Sequence, residues 1–113
     1  MPDDAVTFDV VRAIGAELPG VAATAGNRGI ALKIGGQILA CAAIHKSAEP
    51  DSLMVRVGLA RREVLLAEKP EALYLTAHYQ PYPVILVRLT RVDRAYLVAI
   101  LKEAWEFVRS EGK

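Results

Sequence analysis

The chain is poor in the residues that most enzymes and metal proteins rely on. One cysteine, Cys41, stands among 113 residues, which excludes an intrachain disulfide framework or a cysteine-built zinc site and fits a reducing, cytoplasmic setting. The two histidines, His45 and His78, cannot build a histidine-dominated metal centre, and no HExxH spacing exists. An iron-loading role would need an acidic ridge on the first helix, and Asp3, Asp4, Asp9 and Glu17 are too few and too scattered for one. No nucleophile elbow surrounds Ser47, Ser52 or Ser110. Cys41 and His45 lie about 13 Å apart along an extended chain, too far for proton transfer, so Cys41 reads as a buried core thiol. GxGxxG and Walker-type glycine loops are absent. No catalytic residue, metal or cofactor is expected. The longest oily run, Ile34–Ile44, has eleven residues against about 20 for a membrane span. The opening MPDDAVTFDVV is acidic where a secretion signal is basic. A soluble cytoplasmic chain with no membrane partner is the expectation.

What is present is apolar and patterned. Hydrophobic residues make up 53% of the chain, mean hydropathy is +0.26 and net charge is +1. A chain this size buries roughly 65% of its unfolded surface, enough for one domain over residues 1–113. Thr7 is positioned to cap a helix over 7–18, with Phe8, Val11, Ile14, Gly15 and Leu18 on one stripe until Pro19-Gly20 ends it. From Val21 to Gly58 the period switches to two. Ile30, Leu32 and Ile34 alternate with Ala31, Lys33 and Gly35, between the turn candidates Gly26-Asn27-Arg28-Gly29 and Gly35-Gly36. Residues 37–44 are more uniformly apolar, which predicts a central strand covered on both sides or by a partner chain. Residues 45–52 read as a loop, and Leu53, Val55 and Val57 as a half-buried strand. A helix over 59–69 stops at Pro70. Strands over 73–76 and 84–89 flank the aromatic loop HYQPYP, and a last helix runs from an Asp93 cap to about Arg109, where Arg109 and Lys113 oppose its dipole. The fold class is α+β: a two-layer, twisted antiparallel sheet of five or six strands with helices on one face, in the order α-β(3–4)-α-β(2)-α.

Strand alternation then places Lys33, Arg56 and Arg88 together on the face opposite the helices, with Gln37 at the hairpin. Arg61 and Arg62, at the start of the middle helix, extend one rim of that patch, and Arg91 and Arg94 extend another. The helix N-terminus beside Arg61 adds free amides for an anion. His78, Tyr79 and Tyr82 supply rings able to stack on bases or sugars. Two readings stay open. Isolated cations are also the ordinary wetting of a solvent-facing sheet, with Glu63, Glu68 and Glu71 near enough to neutralise them, and HYQPYP is equally a proline-stiffened packed loop. Trp105 and Phe107 read as core or dimer contacts, and a monomer or a homodimer fits the composition.

The order of segments resembles the MmcQ/YjbR-like family of small bacterial proteins over nearly the whole chain. The likeness is carried by LPGV (18–21), IGGQILA (34–40), YLTAHYQPYPVILVRL (74–89) and AWEFV (104–108). The third segment, with Thr76, His78, Tyr79, Tyr82, Pro83 and Arg88, is the most specific. The resemblance implies a two-layer α+β fold and DNA binding through hairpin wings. Gln37 stands where the family usually has Lys, and Leu39 where it usually has Phe, which removes a cation at the hairpin. The functional expectation is a nonenzymatic DNA-binding protein making phosphate contacts from Lys33, Arg56 and Arg88. Three such contacts imply a log–log salt slope of about −2.7. The alternative is a protein- or small-ligand-binding module using the same face, centred on Met54, Tyr79 and Tyr82.

Overall fold

A computed structural model describes residues 6–26 and 29–111. Asp3, Asp4, Asn27, Arg28 and Lys113, to which the sequence assigns charge or turn roles, lie outside the described residues. In chain order the elements are α1 (Phe8–Ala16), β1 (Val21–Gly26), β2 (Gly29–Ile34), β3 (Gln37–Ala42), β4 (Ser52–Arg56), α2 (Leu59–Glu68), β5 (Leu73–Tyr74), β6 (Val84–Arg88), a 3₁₀ turn at Leu89–Arg91, and α3 (Arg94–Glu111). The six strands form one antiparallel sheet in the order β1-β2-β3-β4-β6-β5. The expected α+β class and element order are observed.

Local chemistry sets most boundaries where the sequence predicts them. The Thr7 hydroxyl accepts the Val10 N–H at 3.4 Å, and the Asp93 carboxylate accepts the Tyr96 N–H at 2.8 Å, so both expected caps form. The turn between β2 and β3 needs positive φ at two successive positions, and Gly35 (+57°) and Gly36 (+82°) supply it without a Cβ clash. Helix α1 ends at Ala16 rather than 18, because Glu17 and Leu18 bond back three residues to the carbonyls of Ile14 and Gly15. Strand β5 covers two residues instead of four. The chain turns after it, with the Tyr79 and Gln80 N–H groups both on the Thr76 carbonyl.

The main core lies between sheet and helices. Leu32, Leu39, Leu53, Val55, Ile85 and Val87 meet Val11, Leu65, Leu97 and Leu101 there. Helix α1 sits on β1 and β2, α3 on β2 to β4, and α2 on β5 and β6. The Trp105 indole N–H donates to the Pro19 carbonyl at 2.9 Å, tying α3 to the end of α1.

The strand covered on both faces is β6, not β3. The pairing of β3 with β2 slips between Leu32 and Lys33, which leaves Leu39 as an extra residue next to Ala40, the partner of Leu32, and both are buried. That bulge, rather than a second cover, accounts for the oily run. In β6, Ile85 and Val87 enter the main core while Val84 and Leu86 lie under a second, smaller cluster. Tyr79 is its buried cap, with Met54, Tyr74, Leu75, Ala43 and Ala48 around it.

Close approach explains one residue that helix propensity disfavours. A Cβ on Gly15 would lie 2.4 and 2.6 Å from the Leu32 methyl groups. Gly15→Ala gains about 1 kcal/mol of helix propensity but overpacks α1 against β2 by about 1–3 kcal/mol. The variant is expected to be net destabilised by about 1 kcal/mol in urea denaturation, and an unchanged or raised midpoint would contradict this packing.

Candidate functional site

The cross-strand register decides what the face opposite the helices displays. Strand β4 pairs Ser52 with Arg88, Met54 with Leu86 and Arg56 with Val84, so these six share that face. Lys33 joins them through β3, since it pairs with Ile38 and the Arg56 Nη1 donates to the Ile38 carbonyl at 3.3 Å. The three expected cations therefore lie on one face but do not form one patch. Arg56 and Arg88 sit at opposite ends of the β4–β6 ladder, on neighbouring strands and four residues apart, which separates their Cα atoms by about 14 Å. Lys33 and Arg56 are two strands apart, about 10 Å.

Partners also change the charge. Arg88 is held by Glu49 through two hydrogen bonds of 2.8 and 2.9 Å, donates to the Glu71 backbone carbonyl, and lies 4.3 Å from the Tyr74 ring centre. The neutralising carboxylate is thus Glu49, from the loop before β4, and not that of Glu63, Glu68 or Glu71. The hydrogen bond from Arg88 holds the Glu49 carboxyl below the usual range. Arg61 reaches to α3 instead, where Glu103 takes it at 2.7 and 3.4 Å. Gln37 pairs with Ile34 and lies with Val108 and Arg109 on the helix side, so it adds nothing to the face.

Arg62 is the largest correction. It is 7% exposed, and its Nη1 donates to the carbonyls of Gln80, Tyr82 and Val84 at 3.1, 2.8 and 3.4 Å. Those carbonyls belong to the aromatic loop and the first residue of β6, where no neighbouring strand serves them. The guanidinium is a structural clamp from α2 to that loop, not a rim contact.

The clamped loop walls a cavity of about 380 Å³ on the sheet face. Ile38, Met54 and Val84 form its floor from β3, β4 and β6, while His78, Tyr79, Tyr82 and Pro83 form the wall, with Arg56 completing the lining. Of the predicted rings, Tyr79 is buried and its hydroxyl accepts the His45 N–H at 3.3 Å, whereas His78 is exposed and Tyr82 is 54% exposed. The HYQPYP loop is therefore both things the sequence allowed: packed at Tyr79, open at Tyr82.

A contact that sequence reading missed supports the wall from behind. The His45 and His78 rings stack at 3.5 Å and 6°, and Tyr79 meets His78 edge-on at 4.8 Å. The Ser47 N–H donates to His45 Nδ1 at 3.1 Å, so that nitrogen is an acceptor and the ring proton sits on Nε2. The Ser47 hydroxyl lies 2.8 Å from His45 Nδ1 and 2.8 Å from the Thr76 hydroxyl, pinning the 45–48 loop to the chain after β5. With its lone pair already engaged by the Ser47 amide, His45 is a hydrogen-bond hub. Nearby, the Tyr74 hydroxyl joins the Glu49 N–H and the buried Ser52 hydroxyl. The only sequence signal was the local His-x-Ser spacing, which says nothing about a second histidine 33 residues on. Burial pushes the Cys41 thiol up, as for a core thiol.

A solved structure shares this architecture. The Deinococcus radiodurans protein DR2400, described as a DUF419 domain, aligns with a TM-score of 0.77 over 96% of this chain and 83% of that one, at 22% identity. That likeness shows the fold. No family model matches the chain, and no curated protein matches it. Among the described residues there is no cluster of three or more metal-ligating side chains, and no helix long and apolar enough to cross a membrane.

Two predictions follow from the wall. Arg62→Met keeps the apolar stem but takes the donor from the Gln80 and Val84 carbonyls, while the Tyr82 carbonyl keeps the Val84 N–H, and is expected to lose about 2–3 kcal/mol of stability in urea denaturation. A loss below about 0.5 kcal/mol would mean that the clamp does not hold the loop. The second concerns pH. Desolvation, then His78, then Lys46 hold the His45 imidazole below its ordinary 6.5. The unfolded chain therefore binds more protons than the native one as pH drops below that value, and stability falls from there down to the lower native pKa and levels off beneath it. Between pH 7.5 and 5 the wild-type denaturation midpoint should drop more than that of His45→Gln; equal drops would show that the stack is indifferent to charge.

Proposed function

We propose that the protein is a nonenzymatic binding module whose ligand seats in the cavity on the sheet face opposite the helices. The observation that carries this reading is the cavity's composition. Three apolar side chains from adjacent strands form a floor, the His78, Tyr79 and Tyr82 rings form one wall, and among the described residues Arg56 adds a guanidinium to the lining. Sites for small ligands combine a mostly apolar lining with a few fixed polar groups and run from about 300 Å³ upward. The cavity belongs to a single chain, so the reading needs no second subunit. A cytoplasmic setting is part of the same proposal, on the ground of one unpaired thiol.

A second reading, DNA binding, has its own support in the resemblance of residues 74–89 to the MmcQ/YjbR-like family. It also draws on Lys33 and Arg56 standing at one end of the face beside Tyr82 and His78. Splaying and ion pairing remove Arg88 and Arg61 from that interface, so fewer phosphate contacts remain than the three expected and the salt slope shrinks accordingly.

One experiment separates the readings. Indole, as a neutral probe, is expected to shift the NMR signals of Met54, His78 and Tyr82 in the wild type and to lose this effect in Met54→Arg. A fluorescent 20-mer duplex titrated at 50 mM salt tests the other arm, where Lys33→Ala should flatten the slope by about one unit. Silence of all three residues towards indole sinks the cavity reading, and no anisotropy change at 50 mM salt sinks the DNA reading.

A further inference from the structure

The two edges of the sheet are protected very differently. Strand β5 closes one edge with two residues, and its Tyr74 hydroxyl is tied to Glu49 and Ser52. So short an edge gives another chain little to pair with. Strand β1 closes the other edge with six residues, VAATAG. Charge, proline and a bulge are the usual means of blunting an edge, and β1 has none. Its register with β2 runs unbroken from Val21↔Ile34 to Gly26↔Gly29. Among the described residues no strand pairs with the outer side of β1, so alternate residues turn N–H and C=O away from the sheet.

Helix α1 lies over β1 and β2 and carries a second stripe beside its buried one. Val11, Ile14 and Gly15 face the core. Asp9, Arg12, Ala13 and Ala16 follow one another at i, i+3, i+4 and i+7 and are all exposed. With Ala23 of β1 they line a depression of about 370 Å³ between the helix and the edge strand. Among the described residues neither Asp9 nor Arg12 has an ion-pair partner.

We propose that the chain forms a two-fold homodimer in which β1 pairs antiparallel with β1 of a second copy and Asp9 of each α1 faces Arg12 of the other. A two-fold interface brings the same patch from both copies together, so that patch must complement itself. The acid and base one turn apart on α1 meet that condition, and they select a second copy over an unrelated strand, which would satisfy only the backbone groups. The spacing agrees. Paired strands lie about 4.8 Å apart, so two helices that each straddle β1 and β2 run about 10 Å apart across the seam, an ordinary helix-packing distance. Ala13 and Ala16 leave room for that approach. The dimer joins two six-stranded sheets into one. Since β2 separates β1 from the strands that floor the cavity, both cavities stay open, and the dimer does not rest on the ligand reading.

The test is sedimentation velocity on the whole protein from about 2 to about 200 μM, a range that covers the weak dimers a small interface supports. At the upper end the mass should be twice the 12.3 kDa of one chain. Asp9→Lys leaves two cations at the seam and Arg12→Glu leaves two acids, so each variant alone should dimerise at least about tenfold more weakly than the wild type. An equimolar mixture of the two variants should restore the dimer, because each now complements the other. Hydrogen exchange on the wild type needs no variant: β1 amides should lose protection on dilution while β4 amides do not. A single-chain mass at the highest concentration overturns the proposal and assigns the edge to a strand of another protein. A dimer that neither variant weakens, or whose β1 amides ignore dilution, overturns the placement at β1. Weakened variants that do not recover on mixing overturn the Asp9–Arg12 pairing.

Discussion

The site depends on one buried guanidinium. The loop between β5 and β6 runs over the sheet with backbone carbonyls that no strand can serve, and unpaired carbonyls away from water are costly. Arg62 reaches from the helix layer to three of them, at Gln80, Tyr82 and Val84. With those carbonyls held, Tyr79 packs down on Val84 and Leu86 as a second core and Tyr82 stays up as a wall. Helix α2 therefore shapes a surface on the far side of the sheet from its own packing face.

The same economy governs the charges. Antiparallel sheets with one covered face usually present a wet, evenly polar second face. Here two loops cover the β4–β6 half of that face and take Arg88 into an ion pair with Glu49, stacked on Tyr74. Exposed ion pairs contribute little to stability. What this pair does is fix the loop before β4 against β5, next to the His45–His78 stack. Among the described residues, Arg56 then lies beside the apolar floor and Lys33 beyond it.

Caps and turns were legible because each rests on contacts within a few residues: Thr7 to Val10, Asp93 to Tyr96, and the paired positive φ values at Gly35 and Gly36. Alternation placed Lys33, Arg56 and Arg88 on their common face for the same reason, since the pleat inverts every second side chain. Their separation was not legible, because it depends on which residue of β4 sits opposite which residue of β6. Arg62 could not be told from Arg61 for a similar reason. Adjacent positions on a helix point about 100° apart, and only the packed arrangement shows that one meets α3 and the other the aromatic loop.

By itself the amino-acid sequence determined the class of fold, the order of its elements and which side of each strand is apolar, because periodicity, capping and turn chemistry act over short stretches of chain. Tertiary structure alone decided that β6 is the doubly covered strand, that Glu49 quenches Arg88, that two histidines 33 residues apart stack, and that a cavity opens beside Arg56. Each of those outcomes requires segments distant in the chain to meet in one register, and no local pattern encodes where a second segment will lie.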